Sequence, residues 1–317
     1  MRSTAVLLLL CACGGGEWKP TEAPIGVNPR CISVLLDGDV LFVGHGAGLH
    51  KTTDDGVTWS DSSNGLPHPA GSSSGISPVE ALLVDQDAML AGTDDGMYAS
   101  MDHGATWVNA NAGLPGDVSP YAFALVGKVA LVGMNTGSHD TNRTGGIFRS
   151  PDQGVSWAQS STGLSQDDGA ISFAQLGSTV YSCFGMTVAA STDKGQTWTI
   201  SAAPGMSNCL WLDQDGTNLY LATASAGVFR STDGTNWTAA SKGLPSGDIV
   251  STVYVHASKI YAGTDKNGVF VSSDTGKSWS KFSDGFKAPM PRVVQFVAHG
   301  TTLIAITEAD GVWKRPL

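Results

Sequence analysis

The chain has 317 residues, of which 40 are glycine, nine are tryptophan and only 15% are charged. An average soluble protein carries about 25% charged residues, and Lys, Glu and Arg usually cover surface helices, so this composition excludes a mainly helical protein. The net charge of −10 comes from 28 acids and 18 bases, with no basic run longer than Lys314-Arg315. This scatter excludes a nucleic-acid-binding surface and argues against electrostatic attachment to anionic lipid. The hydrophobic fraction of 41% excludes wholesale disorder, which leaves an all-β protein with many tight turns.

The N-terminus has the features of a secretory signal. Residues 1–12 hold one positive charge and an apolar run that is too short to span a bilayer as a helix, which needs about 20 residues. The segment from Leu10 to Cys13 resembles the bacterial lipobox, with alanine directly before the cysteine. We expect a signal peptide at 1–12, lipidation of Cys13, a glycine tether within 13–16, and one domain at 17–317. An ordinary secretory signal or a short buried strand are the alternatives.

Besides Cys13, the expected mature chain keeps three cysteines, Cys31, Cys183 and Cys209. An odd number in an oxidising compartment permits one disulfide and one free thiol. Cys183 and Cys209 are the closer pair in sequence, and buried free thiols are the alternative.

A short motif recurs six times with the pattern Ser/Thr-x-Asp-x-Gly-x-Thr/Ser-Trp, and the fifth copy is one residue shorter. Asp can accept hydrogen bonds from the backbone of its own turn, and Gly supplies a positive φ. The tryptophan buries a large ring while its N–H finds a partner. Successive tryptophans are 48, 50, 41, 39 and 42 residues apart, which indicates an internally repeated fold. The motif residues are Asp54, Gly56, Trp59, Asp102, Gly104, Trp107, Asp152, Gly154, Trp157, Asp193, Gly195, Trp198, Asp233, Trp237, Asp274, Gly276 and Trp279.

These copies resemble the Asp-box, or BNR repeat, of sialidase-like β-propellers. The resemblance implies that each Asp-box is a turn between the third and fourth strands of one blade. It covers nearly the whole mature chain and extends to a group of single-propeller proteins that includes photosystem II assembly factor-like proteins and bacterial surface lipoproteins.

The remaining repeat units predict seven blades. A third-strand signal, Gly followed by two apolar residues, occurs once more at Gly311-Val-Trp313, after which the chain stops three strands into a seventh blade. Trp18-Lys19 resembles the start of a fourth strand, so residues 17–24 are expected to pair with 291–317 and close the ring. Six blades with an open apolar edge is the alternative.

The face away from the Asp-boxes is the expected ligand face, since sialidase-type propellers keep their active site there. An expanded loop on it contributes His139, Asp140 and Arg143, and long loops on a rigid scaffold often carry function. Residues just before the innermost strands should surround the central funnel, namely Arg30, Tyr121, Asp168, Asn208, Asp248 and Arg292. Arg30 and Arg292 would be neighbours able to bind a carboxylate. Alternatively they pair with Asp168, Asp248 or backbone carbonyls.

A sialidase needs three arginines on the substrate carboxylate, a Tyr/Glu pair and an acid/base residue, and this set is not recognisable. Glu80 lies in an innermost strand, but no motif places a tyrosine beside it. We therefore expect a lipid-anchored binding or assembly scaffold in the bacterial envelope, on the outer membrane or cell surface, monomeric and without metal or cofactor. A carbohydrate-binding propeller is the alternative, and a sialidase-like hydrolase comes third. The partner, protein or glycan, is not identified by the sequence.

Overall fold

The computed structural model describes residues 16–22, 31–46, 48–68, 75–86, 88–116, 119–134, 145–165, 169–202 and 207–317. These residues form 28 strands arranged as seven four-stranded antiparallel sheets. The protein is therefore all-β, and the seven sheets are the blades of a β-propeller, as predicted. Within the described part of the chain, no helix has the length and apolarity needed to cross a membrane.

The first half of the chain supplies the N-terminal strand and the first three blades. Strand β1 (Lys19–Pro20) comes first. Blade 1 contains β2 (Cys31–Asp37), β3 (Val40–His45), β4 (Gly48–Thr52) and β5 (Ser60–Asp61). Blade 2 contains β6 (Val79–Asp85), β7 (Ala88–Thr93), β8 (Gly96–Ser100) and β9 (Val108–Asn109). Blade 3 contains β10 (Pro120–Val126), β11 (Val129–Met134), β12 (Gly146–Ser150) and β13 (Ala158–Gln159).

The second half supplies the other four blades. Blade 4 contains β14 (Ser172–Leu176), β15 (Thr179–Phe184), β16 (Thr187–Ser191) and β17 (Thr199–Ala202). Blade 5 contains β18 (Cys209–Gln214), β19 (Leu219–Thr223), β20 (Val228–Ser231) and β21 (Thr238–Ala239). Blade 6 contains β22 (Val250–His256), β23 (Lys259–Thr264), β24 (Val269–Ser272) and β25 (Ser280–Lys281). Blade 7 contains β26 (Val293–His299), β27 (Thr302–Thr307) and β28 (Gly311–Pro316), and β1 completes it.

The ring closes through the N-terminal strand. Strand β1 pairs antiparallel with β28, with Lys19 opposite Lys314 and Pro20 opposite Trp313. Because β1 covers the edge of β28, blade 7 is complete and no apolar edge is left open there. The alternative of six blades is wrong.

Trp18 occupies the position that an Asp-box tryptophan holds in other blades. Its backbone N–H donates to the carbonyl oxygen of Asp284 at 2.7 Å, as the N–H of Trp107 donates to Asn64 at 2.9 Å. The indole N–H of Trp18 donates to the carbonyl oxygen of Phe282 at 2.7 Å. The N-terminal segment therefore replaces the missing fourth strand with the same contacts to the preceding blade.

The six copies of the Asp-containing motif, which we call Asp-box turns after the motif they resemble, lie between the third and fourth strands, as expected. In blade 2, Asp102 accepts hydrogen bonds from the Thr106 backbone N–H at 2.8 Å and the Thr106 hydroxyl at 2.6 Å. Ser100 donates its hydroxyl to the same carboxylate at 2.8 Å, and its oxygen accepts the N–H of Gly104 at 2.9 Å. These bonds, led by the Thr106 hydroxyl, lower the pKa of Asp102 to about 2.

Gly104 has a φ of 75°, which confirms the expected role of glycine in the turn. The residue before it, His103, also has a positive φ, of 53°. The equivalent residues of the other full-length copies share this conformation, and they are Asp55, Gln153, Lys194 and Thr275. The shorter fifth copy lacks this residue and keeps only Gly234 in the positive region.

The core lies between blades rather than at one centre. Side chains of neighbouring sheets form successive clusters, and the cluster between blades 4 and 5 holds Cys183, Cys209 and Trp237. Both cysteines are buried free thiols, and burial raises the pKa of Cys183 well above its usual value. The side chain of Cys31 lies outside the described ones.

Candidate functional site

The strand order gives the propeller two different faces. Antiparallel strands place the Asp-box turns and the first-to-second strand turns at one end of every blade, which we call the Asp-box face. The second-to-third strand turns, such as Asp94–Asp95, and the blade-to-blade connections lie at the other end, which we call the loop face. The innermost strands run between the two faces and surround a central cavity.

A repeated backbone irregularity places one residue per blade in the lining of this cavity. In six innermost strands the register shifts between the first and third residues, so the second residue bulges out of the pairing. In blade 4, the N–H of Ile171 donates to the Cys183 carbonyl at 3.0 Å while Ser172 pairs with Cys183, which is the same arrangement. Bulges commonly re-aim side chains next to functional sites. The seven residues, which we call the bulge ring, are Ile32, Glu80, Tyr121, Ile171, Leu210, Ser251 and Val294.

The cavity has a volume of about 320 Å³, within the size range of small-ligand pockets. Besides the bulge ring, its apolar wall includes Leu82, Phe123, Phe173 and Trp211. A mostly apolar wall with a few polar groups is typical of a recognition site.

Two polar residues of the ring come from neighbouring blades. Glu80 of β6 is only 8% exposed, whereas Tyr121 of β10 is 38% exposed. The sequence identified each residue separately but gave no reason to join them. The structure places both in the lining of one cavity, because they occupy the same bulge position in blades 2 and 3.

Arg292 also lines the cavity, directly before β26. Its Nη1 donates to Glu308 Oε2 at 3.1 Å, and its Nε lies 3.6 Å from Asp265 Oδ1. The two acids lie in the second-to-third strand turns of blades 7 and 6. Arg292 is therefore held by carboxylates of the loop face, which were not among the partners expected from the sequence.

Asp248 is buried but does not belong to the cavity lining. Its carboxylate accepts hydrogen bonds from the Asn267 side chain at 2.7 Å and from the Ile249 backbone N–H at 2.9 Å. These hydrogen bonds connect the loop before β22 to the neighbouring second-to-third strand turn. The other predicted residues Cys13, Arg30, His139, Asp140, Arg143 and Asp168 lie outside the described residues, and their proposed roles stay predictions.

A buried histidine pair lies at the loop-face end of blade 1. His45 Nε2 and His50 Nδ1 are 2.7 Å apart. Burial, followed by the charge of His50, lowers the pKa of His45 to about 4, so both rings are neutral at pH 7 in the folded chain. Within the described ranges, no group of three or more His, Cys, Asp or Glu residues is arranged to hold a metal ion.

The bulge ring could have been found only from an alignment of the innermost strands by their pairing. The alternation of apolar residues predicts these strands but does not show an extra residue near their start. Aligned at the bulge, the seven positions contain a single acid, Glu80, and a single aromatic residue, Tyr121. That contrast is the signal that sequence reasoning missed.

Comparison with known proteins supports the fold. Residues 205–314 match the DUF6242 β-propeller domain family. Among curated proteins, none matches the chain. The solved structure of YCF48 from Cyanidioschyzon merolae is 13% identical, with a TM-score of 0.71, and the match covers 95% of this chain and 98% of that one.

Two further solved structures are similar over almost their whole length. YCF48 bound to a D1 peptide is 14% identical, with a TM-score of 0.71 and coverage of 96% of this chain and 95% of that chain. A catalytically inactive virginiamycin B lyase from Staphylococcus aureus with quinupristin is 13% identical, with a TM-score of 0.74 and coverage of 95% and 100%. At such identities the likeness shows the propeller fold alone. The described residues form a seven-bladed β-propeller, and its central cavity is the candidate binding site.

Proposed function

We propose that this protein is a lipid-anchored propeller of the bacterial cell envelope, on the outer membrane or cell surface, that binds or assembles a partner without catalysis. The single observation that carries the proposal is the direction of β1, which separates the expected anchor from the cavity mouth on the loop face. The finer resemblance to Asp-box, sialidase-like propellers is part of the same proposal, supported by the hydrogen-bonded Asp turns.

The direction of β1 follows from its pairing. Strand β28 runs from the loop face to the Asp-box face, and β1 is antiparallel to it. Gly16 consequently lies beside Pro316, at the Asp-box end of β28. A lipid on Cys13 would hold the Asp-box face toward the membrane and leave the loop face accessible to a partner.

The chemistry of the loop face suits recognition. The mouth of the cavity combines the half-exposed ring of Tyr121 with Arg292, whose charge is balanced by Glu308 and Asp265. Tyr and Arg are the residue types that most often dominate binding energy at interfaces. The similar structure of YCF48 bound to a D1 peptide supports a protein segment as the partner.

Site-specific photo-crosslinking in cells tests which face of the propeller binds the partner. A photoreactive residue at Tyr121, on the loop face, is expected to give a discrete crosslinked partner. The control is the same residue at Val155, which is 65% exposed in an Asp-box turn. Equal crosslinking from both positions, or none from Tyr121, would refute the assignment of the binding face.

The anchor has a separate test. In cells expressing Cys13→Ala, the chain should lose its membrane association and its lipoprotein processing, measured by fractionation and metabolic labelling with a fatty acid. Unchanged membrane association and processing would disprove the lipid anchor.

A carbohydrate-binding propeller is the second candidate, favoured by the exposed aromatic ring of Tyr121, which can stack on a sugar. Saturable binding on a glycan array that is lost in Tyr121→Ala would establish it over the protein-binding scaffold. Cleavage of a fluorogenic sialoside that is abolished in Glu80→Gln would instead establish a hydrolase.

A further inference from the structure

A second cavity lies on the Asp-box face, at the seam where the ring closes. It has a volume of about 270 Å³, and its lining includes the three bases Lys19, Lys314 and Arg315. The acids Glu17 and Asp55 are part of the same lining. Lys314, from the one basic run of an otherwise acidic chain, thus lies beside Lys19 at this place, while Arg315 is buried.

Two of these bases face each other directly. Lys19 of β1 and Lys314 of β28 are register partners in the antiparallel pair. Like charges directly opposite each other on neighbouring strands are destabilising. This repulsion lies in the two-residue strand that closes the ring, and an anion held between the two ammonium groups would relieve it.

The carboxylate of Asp55 is already engaged by other groups. His299 Nδ1 lies 2.6 Å from Asp55 Oδ1, and the Thr302 hydroxyl donates to Oδ2 at 3.1 Å. The hydrogen bond that the Asp55 carboxylate accepts from the His299 ring raises the pKa of His299. Lys314 Nζ donates to the Asp55 backbone carbonyl at 2.9 Å rather than to its carboxylate. Lys314 is therefore bound through a neutral carbonyl group, while the Asp55 carboxylate is engaged by His299 and Thr302.

Arg315 follows Lys314 in β28 and points to the opposite face of the sheet, toward blade 6. Its side chain is 3% exposed, its guanidinium lies 3.5 Å from the centre of the Phe282 ring, and Nη1 donates to the Phe282 carbonyl. Among the described residues, no carboxylate lies within ion-pair distance of Arg315 and no group accepts a hydrogen bond from its Nε. Burial lowers the pKa of Arg315, and the nearby charges of Asp284 and Glu17 raise it. Arg315 therefore has acidic neighbours of its own, and the anion site rests on Lys19 and Lys314.

We propose that this cavity binds the phosphate of an anionic lipid headgroup in the layer to which the chain is anchored. The proposal rests on the lipid anchor of the proposed function, because Gly16, the last residue of the expected tether, lines the same cavity. Phosphoryl oxygens accept hydrogen bonds from Lys19 and Lys314 together and separate their charges. A single headgroup is bound, so the scattered bases elsewhere need not form a polybasic surface.

Vesicle binding tests the proposal. The protein used is residues 13–317 with the substitution Cys13→Ser, which contains every described strand and carries no lipid. It is mixed with vesicles of phosphatidylglycerol or of phosphatidylcholine. We expect binding to phosphatidylglycerol alone, weakened at least tenfold in Lys19→Gln/Lys314→Gln and reduced by added salt. The control Lys277→Gln, an exposed lysine in the blade 6 Asp-box turn, should bind like the parent. Equal binding of both lipids, or equal loss in the control, would overturn the proposal.

Thermal unfolding provides a readout that does not depend on membranes. Inorganic phosphate should raise the Tm of the parent more than chloride does at equal ionic strength, and should not do so for the double variant. In chloride, the double variant should be more stable than the parent because the lysine repulsion is gone. Phosphate stabilisation without vesicle binding would assign the site to a free anion and overturn the lipid source. Fatty-acid labelling and processing in Cys13→Ala cells report on the anchor alone, because the headgroup site could itself retain an unlipidated chain at the membrane. Vesicle binding reports on the headgroup site alone, so the failure of either proposal is distinguishable from failure of the other.

Discussion

Trp18 is the residue on which ring closure depends most, and Trp18→Ala measures that dependence. Its side chain is 1% exposed, its ring stacks on Phe286 with centroids 5.2 Å apart, and its indole N–H donates to the Phe282 carbonyl at 2.7 Å. A tryptophan buries up to about 250 Å², which at about 25 cal/mol per Å² corresponds to about 6 kcal/mol of transfer free energy. Alanine keeps part of this burial, and measured Trp→Ala losses in cores are about 3–5 kcal/mol.

We therefore expect Trp18→Ala to lower the free energy of unfolding by about 4 kcal/mol, measured by urea denaturation. Trp18→Phe keeps an aromatic ring but loses the hydrogen bond to Phe282, so it should lose about 2 kcal/mol. Val57→Ala is the control, because Val57 is 57% exposed and surface changes stay within about 0.5 kcal/mol. If Trp18→Ala unfolded at the same urea concentration as Val57→Ala, the N-terminal segment would not be closing the ring.

Three further predictions concern a motif turn, a blade-to-blade connection and the histidine pair. The pKa of Asp102 is about 2 in the folded chain, so its contribution to stability is complete above about pH 4 and is lost as the pH falls toward 2. Asp102→Asn should show a smaller acid-induced fall in Tm, and an unchanged fall would contradict this. A Cβ at Gly113 would collide with the Trp157 carbonyl oxygen, whereas nothing lies within 4 Å of a Cβ at Gly177. Gly113→Ala should therefore cost at least about 3 kcal/mol and Gly177→Ala about 1 kcal/mol in urea unfolding, and equal losses would refute the collision. His45 has a pKa of about 4 in the folded chain against an ordinary value of 6.5, so the unfolded chain binds its proton first and stability falls as the pH drops from 6.5 to 4. His45→Gln should flatten this part of the pH–stability profile, and an unaltered slope would show that His45 is not the group responsible.

The sequence was sufficient for the fold because its repeat carries the turn chemistry. Each Asp-box contains the side chains that form the hydrogen bonds of its own turn. Trp18 repeats the fourth-strand signal at the far end of the chain, so seven blades and the closure of the ring were predictable. The candidate site was harder to predict from the sequence. The bulges follow from how the innermost strands fit around the axis, and no residue type marks them, so Glu80 and Tyr121 could not be joined in advance. The partners of Arg292 depend on which loops meet across two blades, and Glu308 and Asp265 are far from each other in sequence.

Closing the ring with the first strand brings the proposed anchor segment next to a strand pair of only two residues. Strand β1 contributes only two paired residues, and one of them, Lys19, is opposed by Lys314. A headgroup bound between these lysines in the folded chain only would stabilise it by mass action, about 2.7 kcal/mol at a ligand concentration of 100 times Kd. Because headgroups are concentrated at a membrane surface, the propeller should be more stable when docked than in solution. Trp18→Ala should consequently recover part of its lost stability on phosphatidylglycerol vesicles and none of it on phosphatidylcholine, since the phosphate of phosphatidylcholine is neutralised by its own choline and only phosphatidylglycerol has a net negative charge to offer the two lysines.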